Sequence, residues 1–531
     1  MSGVGTPYAK WQPSGTYDAI VVGSGIGGLA AAALLGTRGN RRVLVLERHT
    51  VAGGFTHTFS RKGWEWDVGV HYIGQVDREG SMLRRVFDDV TGGELQWEPM
   101  GEVYDTVVIG RDRWEYVAGR ENWRRRMHAY FPSDTAAIDR YLELVSEATR
   151  AARPYFAAKA MSRLPALIAG PWMRRGFLRH SDRSLGEVLD GLTSDPVLKA
   201  VLAAQFGDHG LPPAQASFAI HAMIFNHYLG GGAYPVGGSG RIAETVAAVI
   251  ADAGGELVVG AEVAEVTVAN GRASGVRLGD GREIPAPLVI SDVGVPNTAL
   301  KLLREGTPGR RELCAALERT SRSASHICLY LGLAAGDAGL GLERSNLWVY
   351  ESPDQDGDIA RFLADPSAPI PLAYISFPSA KDPDFPRRRP GKATIEVVGL
   401  GPYERFRPWE GTRWMKRGGE YEALKGELSR RLIEILEREV PQVRGKIAYQ
   451  ELSTPLSTRH FHDYEAGEIY GLAHTPARFR EPALRPRTGL PGLYLTGQDV
   501  CTAGVAGALF GAVLCASSIL GKNLLSDIAH S

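Results

Sequence analysis

Neither sign of charge predominates in this chain of 531 residues, where 60 Lys and Arg face 60 Asp and Glu. That balance removes the electrostatic case for a nucleic-acid partner. Cysteine is scarce. The four present, Cys314, Cys328, Cys501 and Cys515, include no C-x-x-C pair. Neither a zinc site nor a disulfide framework is therefore expected, and a reducing, cytoplasmic setting suits such a chain. Residues 1–15 have Pro7, Pro13 and several glycines but no apolar signal-peptide core, and read as a flexible tail. Internal repeats and low-complexity tracts are missing. So is a Ser-His-Asp arrangement, which takes away the reason to expect a hydrolase.

What is present is concentrated between Tyr17 and Thr58. The run Ala19-Ile20-Val21-Val22 is short, apolar and β-branched, the signature of a buried parallel strand. Gly23, Gly25 and Gly28 follow in G-x-G-x-x-G spacing, then an alanine-rich helix from Leu29 to Leu35, then a second apolar run, Val43 to Leu46, ending at Glu47. This is a complete strand–turn–helix–strand unit. Gly23 permits the tight turn, Gly25 lets a diphosphate approach the backbone, and Gly28 lets helix and strand pack closely. The free N–H groups and dipole of the helix start then hold the diphosphate. A carboxylate at Glu47 accepts from the ribose hydroxyls and repels a 2′-phosphate, so the site predicts FAD or NAD rather than NADP.

The next residues choose between these two. A second glycine pair, Gly53-Gly54, follows the acid and brings backbone to the other side of the diphosphate, which a simple NAD dehydrogenase does not need. No second acid-tipped unit of this kind occurs: the glycines at 230–240 precede no suitable strand, and Gly399–Gly401 runs into Pro402. A nicotinamide domain is therefore not expected, and electrons are expected to pass by a quinone, oxygen or a partner protein.

From Ser81 to about Gln215 the pattern reads as mainly helical. Within it, 148–181 holds Arg150, Arg153, Lys159, Arg163, Arg174, Arg175 and Arg179 and no acid, interleaved with Tyr155, Phe156, Leu164, Trp172 and Phe177 among others. Basic residues beside aromatic ones suit the headgroup level of a bilayer, so these helices are expected to face a membrane, with the protein peripherally attached. An apolar helix around His221–His227 leads into a glycine-rich loop. Arg241 to Asp252 reads as a further helix. Strands are expected at 257–259, 263–268, 273–278 and 288–290, with Asp280-Gly281 as a hairpin turn. Near the end, a strand at 492–496 meets Gly497-Gln498-Asp499 and an apolar run, Ala503 to Leu520. Its glycines and its position after a strand argue for a buried helix aimed at a flavin rather than a membrane span. Asp499 is expected to bond a ribitol hydroxyl.

Three blocks, Tyr17–Tyr72, His221–Gly240 and Gly492–Cys515, resemble the retinol saturase group of flavoproteins, within the phytoene desaturase and carotenoid isomerase family. The matches are Phe-Thr-His57-Thr-Phe with Asp67-Val-Gly-Val-His71-Tyr72-Ile-Gly, then Tyr234-Pro235 before Gly237-Gly238, and Leu-Tyr-Leu-Thr-Gly497-Gln498-Asp499. Val236 departs from the basic residue expected there, which bears on the choice of substrate. The resemblance implies an α/β protein: a Rossmann-type FAD-binding domain from residues 16–80, 231–300 and 485–531, and a discontinuous, mixed α/β substrate domain from 81–230 and 301–484. It places FAD against Gly23, Ser24, Gly25, Gly27 and Gly28, against Glu47 and Arg48, against Gly53 and Gly54, and against Val263, Gly497, Asp499, Val505 and Ala506. His71, Tyr72 and Tyr234 are the catalytic candidates, with His57, His209 and His227 behind them. The substrate implied is a polyene or isoprenoid lipid whose double bond is saturated or desaturated. Two alternatives are a redox-neutral cis–trans isomerase using reduced FAD, and a prenyl-lipid binding module of the GDP-dissociation-inhibitor type without a flavin.

Overall fold

The computed structural model describes residues 4–530, apart from the side chains of Arg163 and Leu164. Two sheets carry the architecture. The first is parallel throughout, with strands in the order Thr6–Pro7, Glu256–Val259, Val43–Glu47, Ala19–Val22, Val289–Ser291 and Leu493–Leu495. Ala19–Val22 and Val43–Glu47 are buried along their whole length, as unbroken aliphatic strands in a covered parallel sheet must be. The alanine-rich helix Ile26–Gly39 packs beside Gly240–Asp252 and Gly504–Leu520. At its start the helix lies close against the turn before it: a Cβ on Gly28 would lie 2.4 Å from the Gly23 carbonyl oxygen.

The expected tail is not loose. Thr6 and Pro7 extend the parallel sheet beside Val258 and Val259, and Trp11 is buried with its Nε1 donating to Glu256 at 2.6 Å. Local composition pointed to disorder; an unpaired sheet edge supplies the partner.

The second sheet is mixed, in the order Ile447–Ser453, His326–Leu333, Ala393–Leu400, Leu372–Ser376, Asn346–Tyr350, Val103–Ile109 and Asp112–Val117. Its last two strands lie in the region read as mainly helical, together with Trp97–Pro99. The run Val103–Ile109 is short, apolar and β-branched, and Gly110, at φ 63°, turns it into Asp112–Val117. A three-stranded sheet of Ile73–Gly74, Gly232–Pro235 and Trp97–Pro99 links the stretches on either side.

The basic stretch forms the helices Thr135–Ala160 and Arg163–Ser181, packed against each other. Tyr155 and Phe177 face inward, stacked on one another near Phe479, and Lys159 Nζ donates to the Val500 carbonyl at 3.0 Å. Those three are structural and leave the membrane-facing set; Arg163 and Leu164 have side chains outside the described residues. Leu167, Ile168 and Trp172 are 72%, 82% and 80% exposed. The run after Ala503 is the helix Gly504–Leu520, largely buried. Among the described residues, no single helix is long and apolar enough to cross a membrane.

Candidate active site

A cavity of about 740 Å³ is lined from both sheets. At one end three glycine segments converge. Gly25 caps the first helix without a side-chain capping bond, and in that first turn the Gly28 N–H faces the Asp292 carboxyl, so the turn is built to present N–H groups to an anion. A Cβ on Gly54 would lie 3.1 Å from Gly25 Cα, and one on Gly27 would lie 2.6 Å from Gly497 Cα. Only backbone fits there. Gly53, at φ 114°, needs the left-handed freedom of glycine. Glu47 Oε2 accepts from Ser24 N and Oγ at 2.9 and 2.7 Å, and Oε1 accepts from His49 N at 2.7 Å. Ser24 Oγ in turn accepts from Gly53 N at 3.1 Å, joining the two glycine loops. A cradle of bare backbone, a helix N-terminus and a fixed carboxylate has the donor and acceptor set of an adenosine diphosphate moiety.

The expected cofactor positions divide by location. Gly23, Ser24, Gly25, Gly27, Glu47, Arg48, Gly53, Gly54, Val263, Asp499 and Val505 line the cavity. Gly28 does not, because it faces the Gly23 carbonyl; Gly497 sits just behind Gly27. Ala506 also misses the cavity and packs into the core beneath the parallel sheet. Asp499 has both oxygens engaged: Oδ2 accepts from Val295 N at 2.8 Å and Oδ1 from Leu472 N at 2.9 Å. It pins two loops under the cavity, which it also lines.

Two of the three catalytic candidates lie outside the cavity lining. Tyr72 is buried and donates to Asp105 Oδ2 at 2.8 Å, and the Tyr234 hydroxyl donates to Asp67 Oδ2. Neither lines the cavity, and burial raises both phenols well above the ordinary value. Their hydroxyls satisfy buried carboxyls, as buried polar groups must be satisfied. His71 does line the cavity, and burial pushes its imidazole down to about 3. His57 also lines it, with its pKa lowered to about 4 by burial. His209 and His227 do not line it: the first faces His221, and the second accepts from Gly74 N at 2.8 Å.

Asp292 was missed by sequence reasoning. It follows the strand Val289–Ser291, and a Cβ added to Gly25, Gly27 or Gly497 would each meet one of its carboxyl oxygens at 2.5 Å. It therefore overhangs the diphosphate cradle. Burial, followed by the charges of Glu47 and Asp499, raises its pKa to about 8, against the lowering effect of backbone N–H groups. At neutral pH it is mostly uncharged and does not repel a diphosphate. The legible signal was an acid directly after a short β-branched run.

The family model for flavin-containing amine oxidoreductases matches residues 26–334. An all-trans-retinol 13,14-reductase of Danio rerio is 36% identical over 96% of this chain and 86% of its own length. The chain belongs to the retinol 13,14-reductase branch of the flavin-containing amine oxidoreductase family. Prolycopene isomerase 1 of an Oncidium hybrid cultivar is a more distant relative, 25% identical over 98% of this chain and 86% of its own length. The solved structure of putrescine oxidase bound to putrescine superposes with a TM-score of 0.63 at 16% identity, over 96% of this chain and all of that one, a likeness of fold. This retinol 13,14-reductase relative is thus an FAD-dependent oxidoreductase. The flavin-free binding module is set aside.

The rest of the cavity has largely apolar walls. Phe206, Leu211, Trp348, Ile359, Leu372 and Val398 line it, with Leu363 both on the lining and 55% exposed. Asp208, pushed well up by burial, and Tyr374 are polar groups within those walls.

Proposed function

We propose that this protein saturates one carbon–carbon double bond of a retinoid-class polyene, using reduced FAD. The observation that carries the reading is one continuous cavity, in which an FAD cradle opens directly into an apolar chamber. The reductase relatives at 36% identity act, by name, on all-trans-retinol. Bound FAD supplies a hydride. The chain's own residues do the rest. Glu47, Ser24 and the glycine loops fix the adenosine diphosphate end, the apolar walls hold the polyene and exclude water, and His71 presents an imidazole to the chamber. The test is all-trans-retinol incubated anaerobically with the dithionite-reduced holoenzyme. A product two hydrogens heavier, with a shortened chromophore, is expected. An unchanged mass with a new isomer favours the redox-neutral isomerase, the reading the Oncidium relative suggests.

The second part of the proposal is that the protein takes this substrate from a bilayer and binds there peripherally. Exposed Leu167, Ile168 and Trp172 on the helix Arg163–Ser181, with exposed Arg150, Arg153, Arg175 and Arg179 nearby in sequence, support it. Aromatic and aliphatic side chains insert at the headgroup boundary while cations meet anionic lipid.

A further inference from the structure

Saturation of a double bond needs a proton as well as a hydride. His71 lines the cavity, and its Nδ1 lies 2.9 Å from Oε2 of Glu396, a side chain with no exposed surface. Neither atom has a hydrogen-bond partner in the structure, and each is the other's polar neighbour at that distance. The other Glu396 oxygen accepts from Asp67 N at 2.9 Å, which fixes the carboxyl. The backbone at His71 is fixed as well. Buried Lys381 Nζ donates to the His71 carbonyl at 2.9 Å and to Ser376 Oγ at 2.7 Å, and also to Asn346 Oδ1. With Nδ1 turned to Glu396, Nε2 is the ring nitrogen left for the chamber.

We propose that His71 is the catalytic proton donor of the saturation and that Glu396 is its positioning and recharging residue. The inference rests on the saturation reading. One alkene carbon accepts the hydride, and the π electron pair forms the second C–H bond with the proton on His71 Nε2. As that N–H bond breaks, the Glu396 O–H bond breaks and an N–H bond forms at Nδ1. His71 ends neutral, as its other tautomer, and Glu396 ends as a carboxylate facing the charge of Lys381. Solvent returns the proton after turnover. A neutral imidazole alone is a weak acid; coupling it to a carboxylic acid on the far nitrogen avoids leaving an imidazolate.

The surroundings keep Glu396 acidic in the required sense. Burial raises its pKa to about 8, while the Lys381 charge and the Asp67 N–H pull it back. Lys381 itself is lowered to about 7 by burial, and Asp67 is raised to about 7 by burial and by Glu396. His326, Cys328, Tyr330, Tyr234 and Tyr374 also face this cluster, and burial drives each toward its neutral form. Glu396 thus carries its proton at neutral pH and loses it above about 8.

The test uses the FAD-loaded protein with all-trans-retinol. Wild-type turnover should fall about tenfold per pH unit above about 8. E396Q should lower kcat by about 100-fold at neutral pH and lose that limb, with KM and FAD content unchanged. E396D should regain part of the rate and a limb of its own. Independently of substrate, the infrared difference between wild type and E396Q should show a protonated carboxyl band at neutral pH that vanishes in alkali. An active wild type whose E396Q variant keeps the limb, or a missing band, overturns the relay. A wild type that leaves retinol unreduced while the band persists overturns the saturation reading instead, and the relay's catalytic role with it.

Discussion

Glu47 and Asp292 are two carboxyls on one cradle with opposite duties. Glu47 is held by three hydrogen bonds from Ser24 and His49 and is assigned to the FAD ribose. Glu47→Arg removes the acceptor and adds a buried cation beside the first-helix N-terminus, so the purified variant is expected to lose most of its FAD absorbance. A variant as yellow as the parent would disprove the assignment. Asp292 overhangs the glycine turns that would hold the diphosphate. Its folded pKa of about 8 is above the unfolded value, so it is neutral below that pH and ionised above it. Its contribution to stability is complete below the unfolded value of about 3.9 and is lost as pH rises through about 8. FAD affinity, by fluorescence titration, should therefore be flat in neutral buffers and weaken above about pH 8. Asp292→Asn should bind FAD normally at neutral pH and abolish the alkaline weakening. An Asn variant with the same alkaline fall would place the charge elsewhere.

Among elements, the first helix is set by glycine contacts and the basic hairpin by what it leaves uncovered. Gly28 is the closest approach of helix to strand. A methyl there meets the Gly23 carbonyl oxygen at 2.4 Å, and neither backbone segment can yield without opening the turn. Gly28→Ala should cost about 1–3 kcal/mol and lower the FAD-to-protein ratio, read from thermal unfolding and from absorbance. The helix Arg163–Ser181 ought to behave in the opposite way. Replacing Leu167, Ile168 and Trp172 with Asp changes exposed positions, where substitutions usually shift stability by no more than about 0.5 kcal/mol. FAD content should stay as it was, while sedimentation with anionic liposomes drops even at high salt. Arg174→Glu with Arg175→Glu should remove only the salt-sensitive part of that binding, at about 1 kcal/mol per cation. Unaltered sedimentation of the triple variant would leave the hairpin a solvated cap.

At the scale of the whole molecule, distant stretches of chain converge on the cofactor cradle. The parallel sheet is assembled from strands at 6–7, 19–22, 43–47, 256–259, 289–291 and 493–495, and Gly27, Gly54 and Gly497 bring three of those stretches to one point. A ligand that bridges them stabilises the folded state by about 2.7 kcal/mol at a concentration of 100 times its Kd. Stripping FAD should therefore lower the midpoint of thermal unfolding, and adding FAD back should restore it in a concentration-dependent way. A midpoint indifferent to FAD would contradict the bridging role.

What the sequence by itself determined is what chain neighbours decide. The strand, turn, helix and acid from Ala19 to Glu47 follow from β-branching, glycine spacing and helix-start chemistry within one short segment, and the structure has each element in place. The buried helix Gly504–Leu520 was legible for the same reason. Tertiary structure alone decided which polar side chains reach the chamber. Tyr72 and Tyr234 stand in motif segments, yet they spend their hydroxyls on Asp105 and Asp67. Glu396, one acid in an apolar strand, meets His71 only because the mixed sheet packs against the segment around Asp67, 329 residues away in the chain. Hydrophobic periodicity reports whether a side chain is buried. It carries no information about which distant side chain shares that burial, and acid–base chemistry depends on that pairing.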